Sequence, residues 1–245
     1  MESAERKGLT GEEINAERAT EIAKEFIGEE KIKELNLNGL IENGNIPVYD
    51  FSCILNEGNN NNPLTISISQ IGGHIVNMNY NRNIEAEVIS MEDANQIGLE
   101  FLNSRGITNM KETYYLKESG IVTINYAYDQ NGVTVYPDLI KLKIALDNGE
   151  VLGIETTGYL NNHTQRNLPE AKISIEEAKT NLNKNLEITS EGLAIIPTEW
   201  QTEIYCYEFK GKIEDTDFLV YINVETGREE NVLVIIDTPN GILTQ

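Results

Sequence analysis

Two histidines, two cysteines and one four-residue polar turn are the features of this 245-residue chain that invite a chemical reading. Asp147-Asn148-Gly149-Glu150 gathers oxygen donors as a calcium loop does. Without the further ligands of a twelve-residue loop, the four make a turn and not a cation cage. His74 sits beside a turn and His163 in a polar connection, and each reads as a solvated side chain rather than a base or ligand. Cys53 and Cys206 have no CxxC partner and no neighbouring histidine. They read as two buried free thiols, with a disulfide as the alternative. There is no HExxH, no GxSxG with a plausible acid and base, and no glycine-rich loop ahead of Gly-Lys-Ser/Thr. A glycosidase would need two facing carboxylates about 5 to 10 Å apart, and no spacing nominates them. The acids fall on exposed strand faces and on first turns of helices, where the macrodipole explains them. This emptiness points to a binding or regulatory protein rather than an enzyme, with no catalytic residue, cofactor or metal expected.

The same turn reveals what the chain is built from. Residues 144–154, IALDNGEVLGI, read as strand, tight turn and strand, with Gly149 where the turn wants φ > 0. The pattern recurs around Gly73, Gly149 and Gly227, at separations of 76 and 78 residues, and these three glycines are expected to be structural. Ahead of each glycine apolar residues alternate, as in Leu64, Ile66 and Ile68, then Ile140, Leu142 and Ile144, then Phe218, Val220 and Ile222. A period of two marks a strand with one face on a core. After the glycine, Val76 and Met78 correspond to Leu152 and Ile154, while the third copy has Glu230 and Val232.

A helix precedes each repeat. The first covers residues 15–28, capped by Asn15 or by Thr10, with Ala19, Ile22, Ala23, Phe26 and Ile27 on one stripe. The second begins at Ser90 and carries Ala94, Ile97, Gly98, Phe101 and Leu102. The third opens with the capping box Ser174/Glu177 and is short and rich in asparagine. Two further strands per unit are predicted at 35–42 and Val48–Leu55, at 113–117 and 121–128, and at 192–197 and 203–210. Their aromatic pairs, Tyr49/Phe51, Tyr126/Tyr128 and Tyr207/Phe209, are read as equivalent core packing. The expected fold is α+β, with three tandem units at 10–82, 84–158 and 170–240, each a helix packed on an antiparallel β-meander. Residues 79–83 and 157–169 are expected linkers, the second long enough for hinge motion, and Asn59-Asn60-Asn61-Asn62-Pro63 reads as a solvated loop.

Forty acidic against nineteen basic residues give a net charge of −21. Such a surface repels phosphate backbones and anionic lipid, so nucleic acid and membrane surfaces are disfavoured partners. No apolar run is long enough to span a bilayer, and the first ten residues lack the apolar stretch of a signal peptide. As written the chain is expected to be soluble and without an anchor. Tyr114, Tyr115 and Tyr136 are candidates for an exposed aromatic surface that would recognise peptidoglycan or another wall glycan. Open sheet edges offer a second route, by accepting a partner's strand.

The repeat also carries a resemblance. Ser90-Met91-Glu92-Asp93-Ala94, Tyr126-Ala127-Tyr128 and Asp147-Asn148-Gly149 look like the motifs of a PepSY domain. Ser174-Ile175-Glu176-Glu177-Ala178, Tyr207-Glu208-Phe209 and Glu225-Thr226-Gly227 repeat them in the third unit, while the first departs with Asn15 and Ile71-Gly72-Gly73. Three such units resemble the C-terminal region of the YpeB family of spore germination proteins. The resemblance implies a non-enzymatic role outside the cytoplasm, at the spore inner membrane and cortex. It further implies a partner, the cortex-lytic hydrolase SleB, which proteins of this kind stabilise and restrain, and an N-terminal anchor and further region not contained in this sequence.

Overall fold

The alternating segments all enter one sheet. The computed structural model describes residues 6–57, 62–200, 202–238 and 240–244, so Asn59, Asn60 and Asn61 of the asparagine-rich loop lie outside the described residues. The helices are α1 (Ala16–Ile27), α2 (Met91–Asn103), α3 (Thr157–Asn162) and α4 (Ile175–Lys179). The strands are β1 (Ile32–Ile41), β2 (Val48–Leu55), β3 (Leu64–Ser69), β4 (Ile75–Asn79), β5 (Met110–Glu118), β6 (Ile121–Gln130), β7 (Val133–Ala145), β8 (Val151–Glu155), β9 (Glu187–Pro197), β10 (Glu203–Ile213), β11 (Thr216–Asn223), β12 (Glu229–Thr238) and β13 (Gly241–Thr244). Asn15, not Thr10, caps α1, its side chain accepting the Arg18 N–H at 2.9 Å. Ser90 caps α2, and Ser174 with Glu177 forms the expected capping box on α4.

The thirteen strands pair in the order β1-β2-β3-β4-β8-β7-β6-β5-β13-β12-β11-β10-β9, and β9 returns to pair in parallel with β7 through Val133↔Leu193, Thr134↔Ala194 and Val135↔Ile195. The eight strands from β7 round to β9 therefore close into a ring. Inside it lie Ala194, Ile196, Cys206, Leu219, Tyr221 and Ile235, with Tyr114, Tyr136 and Ile242 packed against them. α1, α2 and α4 lie on the opposite face. A large core joins α1 and α2 to β2–β8 through residues such as Phe51, Ile66, Leu142 and Ile144, and a smaller one joins α4 to Phe209, Val220 and Ile222.

The chain is thus mostly antiparallel sheet with few helices, and its segments are fused rather than strung on hinges. β4 pairs with β8 at the first junction, and β5 with β13 and β7 with β9 at the second. The linker at 157–169 holds α3, and Leu160 of that helix shares a small core with Ile46 and Val76.

Pairing also corrects one equivalence. Tyr49 lies opposite Ile68 and Tyr207 opposite Ile222, but the residue opposite the corresponding Ile144 is Val122. Tyr126 and Tyr128 sit four residues further along, a slip that keeps them on the same face and so leaves the alternation unchanged. Tyr49 and Tyr207 donate their hydroxyls to the carbonyls of Ile14 and Ile173, each just before a helix cap, at 3.1 and 2.8 Å. Tyr126 instead reaches under the middle of α2, where a Cβ on Gly98 would stand 2.1 Å from its Oη. Glycine replaces alanine in that stripe because the tyrosine fills the space.

The turn glycines take left-handed backbone at φ +67°, +77° and +70° for Gly73, Gly149 and Gly227. The turns also press on the helices, since a Cβ at Gly73 would meet Ile22 at 2.5 Å and one at Gly149 would meet Ile97 at 2.7 Å. Gly149→Val combines strain at φ > 0 with this clash and is expected to cost about 1 kcal/mol or more. Because the core is shared, the thermal melt should shift as one transition; an unchanged melt would show that the turn tolerates a β-branched residue.

Candidate functional site at the junctions

Each junction carries one arginine, and each arginine is gripped by two carboxylates. At the first, Arg82 donates from Nη1 and Nη2 to Asp147 Oδ2 and Oδ1 at 2.6 and 2.8 Å, from Nε to Glu150 at 2.8 Å, and from Nη2 to the Asn148 side chain at 2.7 Å. The polar turn between β7 and β8 is therefore a receptor for a guanidinium. Hydrogen bonding from Arg82 holds the Asp147 carboxyl below its ordinary range, against a smaller opposing effect of burial. The same contacts raise the Arg82 pKa above its usual value.

At the second junction Arg166 donates to Asp138 Oδ2 and Oδ1 at 2.9 and 2.6 Å and to Glu203 Oε2 and Oε1 at 2.8 and 2.7 Å. Asp138 is fully buried and the Arg166 side chain is 7% exposed. Burial works against the guanidinium charge, but the hydrogen bonds Arg166 donates to Glu203 and Asp138 outweigh it and leave the Arg166 pKa raised. His163 Nδ1 lies 2.8 Å from Asp138 Oδ2, and its ring stacks on Tyr159 at 4.1 Å. Asp138 reaches this point because residues 136–139 of β7, around Pro137, bulge out of register with β6, which pairs Tyr126 with Ile140 and Tyr128 with Val135. Asp138 is neither on a helix first turn nor on an exposed face, contrary to the general sequence reading, whereas Glu203 keeps to it on an exposed stretch of β10.

The three tyrosines do not form an exposed aromatic surface. Tyr114 and Tyr136 are half-buried against the ring interior, and Tyr115 faces the helix-side core. Tyr136 Oη donates to Glu208 at 2.7 Å and its ring meets Tyr221 edge-on at 6.2 Å. Burial pushes the Tyr114 hydroxyl up to about 12 and raises those of Tyr136 and Tyr221 further. Ring closure, a non-local event, turned these residues inward. Cys53 and Cys206 are unpaired and buried in separate cores, and burial pushes the Cys206 thiol up to about 12. An inert buried thiol fits that environment.

Open space lies beside the first clamp. A cleft of about 970 Å³ is lined by Asn56, Asn81, Asn83, Asn148, Glu30 and Tyr80, among others. A neighbouring groove of about 490 Å³ runs between α1 and α2, where Phe26 and Phe101 meet edge-on at 6.1 Å above Met78.

Residues 172–233 of this largely antiparallel sheet match the domain described as peptidase propeptide and YPEB domain, which makes the chain a PepSY-domain protein. Residues 1–169 match the description YpeB sporulation, PepSY1 and PepSY2 domains, and the chain belongs to that YpeB family. Sporulation protein YpeB of Oceanobacillus iheyensis is 34% identical over 229 residues, covering 92% of this chain and 50% of the relative. Sporulation protein YpeB of Bacillus subtilis is 32% identical, covering 91% and 50%. The chain thus spans about half the length of these curated relatives. The Bacillus megaterium YpeB C-terminal domain superposes with a TM-score of 0.80 at 28% identity, covering 93% of this chain and all of that one. No helix among the described residues is long and apolar enough to cross a membrane.

Arg166→Ala would strand Asp138 as a buried, uncompensated charge and is expected to cost about 3–5 kcal/mol, read as a fall in the chemical denaturation midpoint. A variant within 1 kcal/mol of the parent would show that Asp138 finds another partner. Asp147 binds its proton less readily folded than unfolded, so the stability it contributes is complete above roughly pH 4. That contribution is lost as pH falls through its depressed native value. Asp147→Asn should flatten stability over that acid window and leave the slope near neutral pH unchanged, as melts from pH 2 to 7 would report.

Proposed function

We propose that this chain is a non-enzymatic binding module of bacterial spore germination that stabilises the cortex-lytic hydrolase SleB and restrains it until germination. The observation that carries this reading is membership of the YpeB sporulation family across residues 1–169. Within it the chain is read as three PepSY-like units, 10–82, 84–158 and 170–240, acting outside the cytoplasm at the spore inner membrane and cortex. The clamped junctions support a steric mechanism. A rigid body with fixed unit orientations loses little conformational entropy on docking and can cover a partner's substrate groove. The acidic balance of forty against nineteen charges favours a basic partner.

The amide-rich cleft favours a second reading, a module that binds peptidoglycan or another glycan of the spore envelope. Asn56, Asn81 and Asn83 converge there, and paired donors and acceptors of that kind suit sugar hydroxyls. Tyr114, Tyr115 and Tyr136 do not contribute to such a surface, because they pack against cores.

Mixing the purified chain with SleB and cortex peptidoglycan is expected to give a complex, slower hydrolysis and protection of the enzyme from protease. If none of the three appears, the regulatory reading fails for this region. Titration with muropeptides, followed by NMR of the asparagine side-chain amides, separates the alternative: saturable shifts at Asn56, Asn81 and Asn83 would favour the glycan.

A further inference from the structure

The three repeats share a floor but not a roof. Pairing makes Met78, Ile154 and Val232 equivalent, each opposite the middle apolar residue of the preceding strand, Ile66, Leu142 and Val220. Met78 is 6% exposed and Ile154 3%, but Val232 is 41% exposed, and Val234 beside it 36%. The difference has a visible cause. β4 and β8 pair directly, with Met78 opposite Ile154, so α1 and α2 lie side by side on the same face and meet at Phe26 and Phe101 over that valley. β12 pairs instead with β13, which no helix follows among the described residues. α4 stops after five residues, and Leu186 beyond it packs on the far side, where a Cβ on Gly211 would stand 2.7 Å from its Cγ. The result is an apolar strip of Phe218, Val232, Val234 and Ile236 on the helix side of β11 and β12.

We propose that this strip is a docking site for an amphipathic helix of a partner protein, laid beside α4 as α1 lies beside α2. The chemistry of the occupant is defined by what roofs the first two repeats. Its inner stripe carries a small residue followed three and four residues on by an aromatic and an aliphatic one, as in Ala23, Phe26 and Ile27 or Gly98, Phe101 and Leu102. Its outer flanks are basic. Exposed Glu214 and Asp215, in the turn between β10 and β11, flank one end of the strip, and exposed Glu229, opposite Ile222, flanks the other. An uncovered apolar floor with a carboxylate rim selects such a helix over a neutral or acidic one. The inference concerns this surface alone and does not depend on which hydrolase the proposed function names.

The probe is a stapled helical peptide of about four turns bearing the Ala-Ile-Phe-Leu stripe, with lysines on its outer face and a photoreactive group beside the aromatic. Fluorescence anisotropy with the full chain should give saturable binding that falls at least tenfold for Val232→Asp/Val234→Asp and for a peptide with glutamates replacing the lysines. Photocrosslinks should map to β11 and β12, a readout that needs no variant. Absence of binding, crosslinks elsewhere, or affinity unchanged by the double substitution would overturn the proposal. So would a concentration-dependent dimer in sedimentation that Val232→Asp abolishes, because the occupant would then be a second copy. Loss of SleB binding with retained peptide binding would defeat the proposed function and leave this site standing.

Discussion

A guanidinium held between two carboxylates is the interaction on which the arrangement of the molecule depends. The β4–β8 ladder that joins the first two repeats comprises only Asn77↔Glu155, Met78↔Ile154 and Asn79↔Gly153, too short a pairing to fix orientation by itself. Arg82 adds a rigid fork that matches the Asp147 carboxylate in plane and direction. At the other junction the desolvation cost of Asp138 is offset by two bonds from Arg166 and the contact with His163, while two further bonds tie Arg166 to Glu203. Register, bulge and linker path are therefore coupled. A lysine at either place would keep the charge and lose the geometry.

The repeats show how one scaffold tolerates different solutions to the same local problem. In the first and third, a tyrosine on the second strand ties the sheet to the residue before the helix cap. In the second, Val122 takes that place and Tyr126 fills the volume under the helix, which requires Gly98. The turn glycine meets both demands placed on it, left-handed backbone and close approach to an isoleucine of the helix, in the first two copies. Where the helix shortens, as in α4, the pressure on the turn relaxes: a Cβ at Gly227 would come no closer than 3.1 Å, to the Asn181 amide, which donates to the Gly227 carbonyl at 2.9 Å.

Local features were legible in the sequence and non-local ones were not. Helix caps at Asn15, Ser90 and Ser174, the bounds of β2 and the three turn glycines follow from side-chain chemistry within a few residues. The four-residue slip at Tyr126 was invisible because alternation has a period of two, and any even shift preserves it. Ring closure through β7 and β9 joins residues some sixty apart, and nothing in either segment announces the other. That closure buries Tyr114 and Tyr136, so the aromatic surface read from residue type vanished. The clamps left one trace, a single arginine in each polar linker of a chain with twofold acidic excess. Composition suggested the hinge, and the arginine within it argues for the lock.

The ring has a consequence in time as well as in space. β13 is a four-residue strand that slots between β12 and β5, and it lies after every other strand of the ring in chain order. A polypeptide emerging from a ribosome or a translocation pore can complete the first repeat early, since β1–β4 and α1 are contiguous. The second repeat keeps an unpaired β5 edge until residues 241–244 arrive. For that interval an apolar, hydrogen-bonding margin stands open, vulnerable to premature strand exchange. The last strand of the ring in chain order thus covers the stretch of that margin around Tyr115 and Leu116.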